Sequence, residues 1–452
     1  MRRQPDAVVV GAGIVGAACA LALARDGLRV LVLEARFAGG GTTAAAMGHL
    51  VVMDDSAAQL ALTALSLRLW SELAAELPAD CEHDPCGTLW LAADEDEMAQ
   101  AAAKANLYRA QGLAAEMLDA AQLAAVEPEL RSGLAGALRV PGDRVIYPPN
   151  AVRFLLARAA DRGAELWEGF HVSRLAKGGI VEGHGERITA PVVINAAGAA
   201  APHLTPGLAI APRKGHLVIT DRHPGFCRHQ LVELGYLKSA HGGHGGQGGH
   251  GTGDDVVGAA ANAGGVGAGE VCAARAAAAA AAGSAAASVA FNVQPRATGQ
   301  LLVGSSRELV GWDASLNRAL ERRMIERAIG FLPRLAGVTA LRTWTGFRPA
   351  TADNLPLLGP WPESPGLWIA AGHEGLGITT SLATGRLIAD LVAGRAPALD
   401  CAPFAPGRLA PAAATAAATA DRGPHAAAPG DPSGRSRSQG SSPATEPSEA
   451  AR

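Results

Sequence analysis

Three glycines near the amino terminus have the spacing of a nucleotide-binding turn. Gly11, Gly13 and Gly16 lie between two apolar runs, and Glu34 follows the second run. In a strand-helix-strand unit such glycines permit a tight turn, close approach of a pyrophosphate and close packing of the helix, whose first N–H groups face phosphate. An acidic residue at this place accepts hydrogen bonds from ribose hydroxyls. The spacing therefore predicts a site for FAD or NAD rather than for a 2′-phosphorylated cofactor.

Two other interpretations of the amino terminus explain this spacing less well. A glycine-rich turn that binds nothing does not require the strands, the helix and the acid to fall at these positions. The apolar stretch 7–24 could be a signal peptide or a membrane span, but small residues interrupt it, and a cleaved leader has no reason to precede the strand that completes the unit. We therefore expect a cytoplasmic protein without a membrane span.

A second glycine-rich segment near the carboxyl terminus repeats this arrangement. Residues 367–371 predict a strand, the loop 372–378 follows it, and a helix then continues to about Val392. The helix start offers a positive dipole end to the polar edge of a cofactor, and two such helix starts suit a large cofactor. Arg348 lies in the preceding segment 345–360.

The composition favours small-molecule chemistry. The chain has 452 residues, enough for two domains, and a formal net charge of -3, which gives no electrostatic reason to expect nucleic acid or an anionic membrane as a partner. Its six cysteines are scattered, so reduced thiols are expected. Cys81, His83 and Cys86 offer three metal ligands, but a zinc site needs a fourth and the neighbouring Pro85 and Gly87 indicate a turn. No metal site is predicted.

The remaining segments are typical of two domains. The further expected elements are a small-residue loop at 39–49, a helix from Ser56 to about Leu77, a strand at 88–91, helices to about Glu129, a helix at 150–162, and strands near 165–167, 192–195, 215–220, 288–294 and 300–304. The last three strands indicate an antiparallel sheet. Residues 241–287 are mostly Gly and Ala, so we expect a disordered insertion in which His241, His244 and His250 form no preorganised metal site. The tail after about residue 410 is expected to be disordered as well.

In three separated motifs the chain resembles the FAD-dependent D-amino-acid oxidase and glycine oxidase superfamily. The motifs are the amino-terminal glycines with Glu34, the loop from Thr42 to Gly48, and the pair 346–349 and 372–378. Within the superfamily the chain is most similar to the beta subunit of D-hydroxyproline dehydrogenase and to the related subunit of hydrogen cyanide synthase, in the segments 215–220, 231–238 and 291–299. The resemblance covers about residues 5–408 and departs at the insertion and the tail.

The resemblance implies an α/β (α+β) fold with a Rossmann-like FAD-binding domain and a glycine oxidase-like substrate domain built on an antiparallel sheet. The implied boundaries are 1–80, 145–205 and 340–408 for the FAD-binding domain, 81–144 and 206–339 for the substrate domain with its disordered insertion 241–287, and 409–452 for a disordered tail. FAD is expected to bind non-covalently, because no cysteine lies in the Arg348 segment where a related branch carries one.

The resemblance also implies roles for individual residues. Arg348 would bind the substrate carboxylate, because a guanidinium group can bind both carboxylate oxygens, and the alternative is a structural salt bridge. Val172 would contact the adenine through its backbone. Tyr236 and His49 are candidates for the substrate pocket, although a packed tyrosine or a solvated histidine explains them equally well. The residues implied to contact FAD are Gly11, Gly13, Ile14, Val15, Gly16, Glu34, Ala35, Thr42, Thr43, Met47, Gly48, Val172, Gly198, Gly372, His373, Glu374, Gly375, Leu376, Gly377 and Ile378.

Together these features predict an enzyme that oxidises the C–H bond beside the nitrogen of an amino or imino acid, with cis-4-hydroxy-D-proline or a D-amino acid favoured. Hydride would pass from the substrate Cα to flavin N5, and the lone pair of the neutral amine would drive its departure, so no catalytic acid or base is assigned. Electrons would then pass to a partner subunit or another acceptor. Two alternatives stay open: a self-contained glycine or sarcosine-type oxidase that uses oxygen, and a non-catalytic flavoprotein subunit of a multisubunit dehydrogenase.

Overall fold

The structure, a computed structural model, describes residues 4–235 and 287–409. Several predictions fall outside the described residues: Tyr236, the tract with His241, His244 and His250, the insertion 241–287 except its last residue, and the tail 409–452 except its first residue. Within the two described ranges, no helix combines the length and the apolar composition that a membrane span needs.

The described elements are numbered in chain order. The strands are β1 (Ala7–Val10), β2 (Val30–Leu33), β3 (His49–Leu50), β4 (Thr88–Ala92), β5 (Glu116–Asp119), β6 (Gly136–Val140), β7 (Arg144–Val145), β8 (Glu165–Trp167), β9 (Val172–Ala176), β10 (Ile180–Gly183), β11 (Glu186–Thr189), β12 (Val192–Asn195), β13 (Ala211–Arg222), β14 (Gln230–Glu233), β15 (Ser288–Pro295), β16 (Gln300–Arg307), β17 (Ala340–Ala350), β18 (Leu357–Pro360) and β19 (Leu367–Ala371). The helices are α1 (Ile14–Arg25), α2 (Ala57–Leu73), α3 (Glu95–Ala110), α4 (Ala120–Val126), α5 (Pro148–Ala160), α6 (Ala201–Leu204), α7 (Arg318–Phe331) and α8 (Gly377–Val392).

A six-stranded sheet contains the predicted strand-helix-strand unit. Its order is β18-β19-β12-β1-β2-β8, and neighbouring strands are parallel except β18 with β19. Every residue of β1 and β2 is buried, because α1 packs on one face and the small sheet β9-β10-β11 packs on the other. Parallel strands that are covered on both faces need continuous apolar runs. The predicted unit and the return of the chain through β8 and β12 are confirmed.

An eight-stranded sheet has the order β17-β13-β16-β15-β14-β4-β6-β5, and its neighbours are antiparallel except β14 with β4. The predicted antiparallel strands are confirmed. The helices expected to about Glu129 are α3 and α4, and the strand β5 between them was not predicted. This edge strand has Glu116 and Asp119 exposed at its ends, so no apolar alternation marks it. β17 belongs to this sheet, although the predicted boundary at residue 340 assigns it to the FAD-binding domain.

Alternate residues of the central strands point to opposite sides of the eight-stranded sheet. On the side that we call the helix face, apolar residues pack around α7, among them Leu89, Leu91, Leu231, Phe291, Val293, Leu301 and Val303. On the opposite side, which we call the pocket face, the residues between them border the loops that follow β2 and β19, among them Trp90, Gln230, Asn292 and Gly304. A period of two residues therefore separates an apolar core from a cavity.

Candidate functional site

The amino-terminal glycine turn is too crowded for side chains. Gly11 has a φ of +102° and a Cβ there would lie 2.7 Å from the carbonyl oxygen of Ala196, at the end of β12. A Cβ on Gly16 would overlap the carbonyl oxygen of Gly11, so α1 lies directly against the turn. The N-cap residue Gly13 provides no side-chain hydrogen bond to the start of α1. The turn therefore forms a backbone cradle at a helix amino terminus, which suits a phosphate group.

Glu34 is held beside this cradle. Its carboxylate accepts hydrogen bonds from the N–H groups of Ala12 at 2.8 Å and Arg36 at 3.0 Å. The carbonyl oxygen of Glu34 accepts a hydrogen bond from Phe170 at 2.8 Å, which brings the start of β9 with Val172 close to the same place. Gly198 follows β12 with a φ of +58°. The structure thus brings the predicted phosphate, ribose and adenine residues to one end of the six-stranded sheet.

The loop from Thr42 to Gly48 connects this cradle to the eight-stranded sheet. Thr43 accepts a hydrogen bond from the N–H of Ile14 at 3.1 Å, at the first turn of α1, and Thr42 donates to the carbonyl oxygen of Phe347 on β17 at 2.7 Å. Two glycines of the pocket face make room for the loop. A Cβ on Gly346 would lie 2.6 Å from the Cβ of Ala45, and one on Gly304 would lie 3.2 Å from the sulfur of Met47.

The carboxyl-terminal loop 372–378 leads from β19 into α8. His373 is buried and shares a hydrogen bond of 3.0 Å with the hydroxyl of Thr384, and burial lowers the pKa of its imidazole to about 3. Its side chain is therefore a neutral part of the core, and only its backbone is available to a ligand. Glu374 has a φ of +48° and donates its N–H to the carbonyl oxygen of Pro349 at 2.9 Å, which ties the loop to the strand that carries Arg348.

Arg348 lies on β17 directly opposite Arg213 on β13. Like charges at such a cross-strand pair destabilise a sheet unless a counter-ion is close. Glu374 supplies that counter-ion, since its carboxylate lies 2.9 Å from the guanidinium of Arg213. Burial alone would raise the pKa of Glu374, but three neighbouring guanidinium groups hold it below its ordinary value. The side chain of Arg348 lies directly over Gly215, which has no side chain, and its guanidinium donates to the carbonyl oxygen of Ser306 at 2.9 Å.

A cavity of about 80 Å³ lies between these loops and the pocket face. The residues that line it include His49, Val51, Met53, Trp90, Arg213, Gln230, Asn292, Arg307, Glu374, Gly375 and Leu376. Several lining residues have a buried polar atom without a hydrogen-bond partner in the described part of the chain, among them His49 Nε2, Trp90 Nε1, Gln230 Oε1, Asn292 Oδ1 and Asn354 Oδ1. A buried polar group left unpaired costs about 1–3 kcal/mol. These atoms are therefore available to a polar ligand in the cavity.

Two of the predicted substrate-pocket residues, Arg348 and His49, lie close enough for the charge of Arg348 to act on the imidazole of His49. Burial, with the guanidinium of Arg348 as a second cause, lowers the pKa of His49 to about 4. His49 is therefore neutral at ordinary pH. The third candidate, Tyr236, lies outside the described residues.

Sequence reasoning missed Arg213, Trp90, Gln230 and Asn292 as lining residues of the cavity. One signal could have found the two amides: Gln230 and Asn292 are polar residues directly beside the apolar Leu231 and Phe291 in β14 and β15. The position of Arg213 opposite Arg348 depends on the register between β13 and β17, which no local pattern indicates.

Cys81, His83 and Cys86 do not form a metal centre in the structure. In residues 4–235 and 287–409, no group of three or more His, Cys, Asp and Glu side chains is arranged to hold a metal ion. Burial raises the pKa of the Cys81 thiol to about 11, with the charge of Asp80 as a second cause. Cys81 is thus a protonated thiol inside the core.

Comparisons with known proteins agree with this geometry. Residues 6–244 and 273–391 match the DAO family, whose members are described as FAD dependent oxidoreductases. Glycine oxidase from Geobacillus kaustophilus is 27% identical over 419 residues, which cover 89% of this chain and 97% of that protein. A crystal structure of glycine oxidase from the same organism has a TM-score of 0.73, with 26% identity, and the match covers 90% of this chain and 99% of that chain.

Two further relatives have names that describe different activities. Hydrogen cyanide synthase subunit HcnC from Pseudomonas aeruginosa is 26% identical over 93% of this chain and 100% of that protein. D-amino acid dehydrogenase from Methylobacterium nodulans is 28% identical over 72% of this chain and 68% of that protein. The resemblance and the fold class predicted from the motifs are confirmed. The backbone cradle and the Glu34 carboxylate fit FAD, and with the family match over most of its length the chain belongs to the DAO family of FAD-dependent oxidoreductases and is an enzyme that uses FAD.

Proposed function

We propose that this enzyme oxidises the C–H bond beside the nitrogen of an amino or imino acid, with cis-4-hydroxy-D-proline or a D-amino acid as its substrate. The observation that carries the proposal is the position of Arg348. Its guanidinium lies on the pocket face beside Gly375, where a Cβ would lie 3.7 Å from Arg348 Nε. Gly375 lines the cavity, which contains several buried polar atoms without a partner in the described chain. A guanidinium group there suits the carboxylate that all amino acids share. Two relatives, glycine oxidase and D-amino acid dehydrogenase, carry names that support amino acids as the substrate class.

In this proposal two loops and the amino-terminal cradle hold the cofactor. The cradle at Gly11–Gly16 binds the pyrophosphate, Glu34 the ribose hydroxyls, and the backbone of Val172 the adenine. The loops 42–48 and 372–378 hold the ring system, and the start of α8 faces its polar edge. FAD, when bound, supplies the oxidising power for removal of a hydride from the substrate Cα. Covalent attachment is not expected, since no cysteine lies between residues 340 and 378.

The protein's own residues bind and orient the substrate. Arg348 holds the carboxylate with two N–H groups, and Arg213 and Glu374 form an ion pair beside it. His49 remains neutral, so it offers one hydrogen bond at Nε2 without adding a positive charge near the amine. We assign no catalytic acid or base, because a substrate amine in its neutral form needs no further proton transfer before hydride leaves.

The electron acceptor separates two forms of the proposal. HcnC is named as a subunit of a synthase, and similarity to it supports transfer of electrons to a partner subunit. Similarity to glycine oxidase supports direct use of oxygen. Turnover with oxygen alone and with an artificial acceptor distinguishes them. We expect fast turnover only with the artificial acceptor, and full activity in oxygen alone would favour the self-contained oxidase. We further propose a cytoplasmic location, which the free thiols of the five described cysteines support.

An anaerobic substrate screen tests the proposed function. The holoenzyme is mixed without oxygen with cis-4-hydroxy-D-proline, D-proline, D-alanine, glycine or sarcosine, and the visible absorbance of the flavin is followed. We expect bleaching with at least one of them, and no bleaching with α-hydroxy acids that lack the amine. If the yellow holoenzyme is bleached by none of the amino or imino acids, the proposed function is wrong.

A further inference from the structure

The wall of the cavity opposite the cofactor loops is polar, and we propose that it recognises a hydroxyl group on the substrate side chain. The wall consists of Trp90, Gln230 and Asn292, which we call the polar wall. This inference rests on the proposed function and names the class of amino or imino acid that the site prefers. The substrate would carry a hydroxyl on its side chain or ring, placed away from the carboxylate.

The strand register brings the three residues together. Trp90 on β4 pairs with Val232 on β14, and Val232 pairs with Asn292 on β15. Gln230 lies two residues before Val232 and so points to the same side of the sheet. Three neighbouring strands thus each contribute one polar side chain to the pocket face. All three residues line the cavity.

The three residues of the polar wall are buried, and each has a polar atom without a hydrogen-bond partner among the described residues. The exposed fractions are 2% for Trp90, 2% for Gln230 and 7% for Asn292. Trp90 Nε1, Gln230 Oε1 and Asn292 Oδ1 have no hydrogen-bond partner among the described residues. Native interiors pair almost all such groups, so three on one cavity wall point to a ligand that pairs them. An apolar side chain in the substrate would leave all three groups unpaired.

The hydrogen-bonding capacity of these three atoms indicates which chemical group of a ligand they can bind. An indole N–H can only donate a hydrogen bond, and a carboxamide oxygen can only accept one. A hydroxyl does both at once, since its oxygen accepts from Trp90 and its hydrogen is donated to an amide oxygen of Gln230 or Asn292. A carboxylate, which cannot donate, would face the two amide oxygens unfavourably. The polar wall therefore suits a hydroxyl better than a second carboxylate.

A cation–π contact with Lys104 orients the indole ring of Trp90. The ammonium group of Lys104 lies 4.5 Å from the ring centre of Trp90, and Lys104 forms a buried ion pair with Asp54. Such a cation over the ring fixes its orientation. The guanidinium of Arg348 reaches the carbonyl oxygen of Ser306 on β16, the strand next to β15. Asn292 pairs with Gly304 on β16, two residues before Ser306, so the guanidinium and the polar wall lie at neighbouring positions of one sheet.

Matched substrate pairs test this inference. The kcat/KM values are measured for cis-4-hydroxy-D-proline against D-proline, and for D-serine against D-alanine. We expect the hydroxylated member to be favoured at least about tenfold in one pair, because a site with buried polar groups rejects an analogue that leaves them unpaired. In Asn292→Leu and Gln230→Met, we expect that preference to fall about tenfold.

A control variant and a stability measurement separate recognition from structural damage. Gln294 lies on the same side of β15 but lines a different cavity, and its side chain donates to the carbonyl oxygen of Met47 at 2.9 Å. Gln294→Met should therefore leave the preference for the hydroxylated substrate unchanged, even if it weakens FAD binding. Asn292→Leu should melt at the same or a higher temperature than the wild type, because it removes an unpaired buried amide. Equal preference in the wild type and in both polar-wall variants would overturn the inference. So would a loss of FAD affinity in these variants with the preference intact, since the wall would then serve the cofactor.

The two proposals fail in different ways. If neither member of any pair bleaches the flavin, the proposed function is wrong. If both members of each pair are oxidised with the same kcat/KM, the proposed function stands and the polar wall does not recognise a hydroxyl.

Discussion

The helix face and the pocket face of the eight-stranded sheet are built from the same strands but carry opposite chemistry. On the helix face, Phe291 stacks on Phe331 of α7 with ring centres 4.4 Å apart, inside an apolar cluster. On the pocket face, the next residue, Asn292, has a buried amide oxygen without a partner in the described chain. One residue along a strand thus separates a group that stabilises the fold from a group that destabilises it until a ligand binds.

The difference shows how this sheet divides stability from function. A sheet needs one well-packed apolar face to be stable, and α7 covers that face here. The pocket face is then able to carry glycines, three arginines near one glutamate, and unpaired amides. Substitutions on the helix face should therefore change the free energy of unfolding, and substitutions on the pocket face should change kcat/KM.

The largest effect is expected on the pocket face, in Arg348→Met. Loss of a partly buried guanidinium that holds the substrate carboxylate costs about 4 kcal/mol, equivalent to about a thousandfold in kcat/KM, and we expect most of it in KM. Steady-state kinetics and the FAD content of the purified variant measure it. Arg348→Lys should recover part of the loss, because it keeps the charge without the two-pronged geometry. An unchanged KM in Arg348→Met would contradict the assigned role.

The matching substitution on the helix face is Phe291→Ala. Removal of a fully buried phenyl ring should lower the free energy of unfolding by about 3–5 kcal/mol, since it leaves a cavity against Phe331. Urea unfolding of the holoenzyme measures the change, and kcat/KM at a temperature where the variant is folded should change little. Asn292→Leu, one residue further, is the control for the pocket face. A similar loss of stability in both variants would contradict the division between the two faces.

Local patterns were sufficient for the parts of this molecule that are continuous in sequence. The glycine turn, α1 and Glu34 lie within one stretch of the chain, and their spacing alone predicts the cradle that the structure contains. The short turn with Pro295 and Gly299, which joins β15 and β16, likewise predicts the antiparallel pair that the structure contains. The position of Arg348 next to the loop 374–376 was accessible only through the resemblance to a known family.

The residues that sequence reasoning missed depend on contacts between distant segments. Arg213 is a pocket residue because β13 pairs with β17, more than 100 positions later, in a register that places it opposite Arg348. Trp90 is part of the polar wall because β4 runs parallel to β14, although they are far apart in the chain. Neither pairing leaves a periodic signal in either strand alone. Long-range register, rather than residue type, was therefore the missing information.

The buried carboxyl group of Asp143 makes the free energy of unfolding depend on pH, which gives a further test of stability. Asp143 is fully buried, accepts a hydrogen bond from the N–H of Val52 at 3.0 Å, and burial raises its pKa to about 7. A raised pKa in the folded state means that the stabilising effect of the neutral carboxyl is present below pH about 4 and is lost as the pH rises to about 7. Asp143→Asn removes this titration.

We therefore expect Asp143→Asn to be more stable than the wild type at pH 8 by about 2 kcal/mol, with a smaller difference at pH 5. Urea unfolding at the two pH values gives the result. The half-buried His49 and the buried His373 have lowered pKa values that make stability rise with pH, but both residues are present in both proteins and cancel in the comparison. If the stability difference is the same at both pH values, Asp143 is ionised in the folded protein and the assignment is wrong.

The smallest expected effect compares two glycines on opposite sides of the sheet. A Cβ on Gly215, on the pocket face, would overlap the guanidinium of Arg348, whereas a Cβ on Gly330 in α7 would meet no atom within 4 Å. Gly215→Ala should displace the guanidinium and lower kcat/KM about tenfold, because small displacements of a substrate-binding group are costly. Gly330→Ala should leave kcat/KM unchanged and raise the free energy of unfolding by up to about 1 kcal/mol, since alanine favours the helix. Equal kinetics in the two variants would mean that Arg348 can relax around the added methyl group, and the pocket face would then be less rigid than its row of glycines indicates.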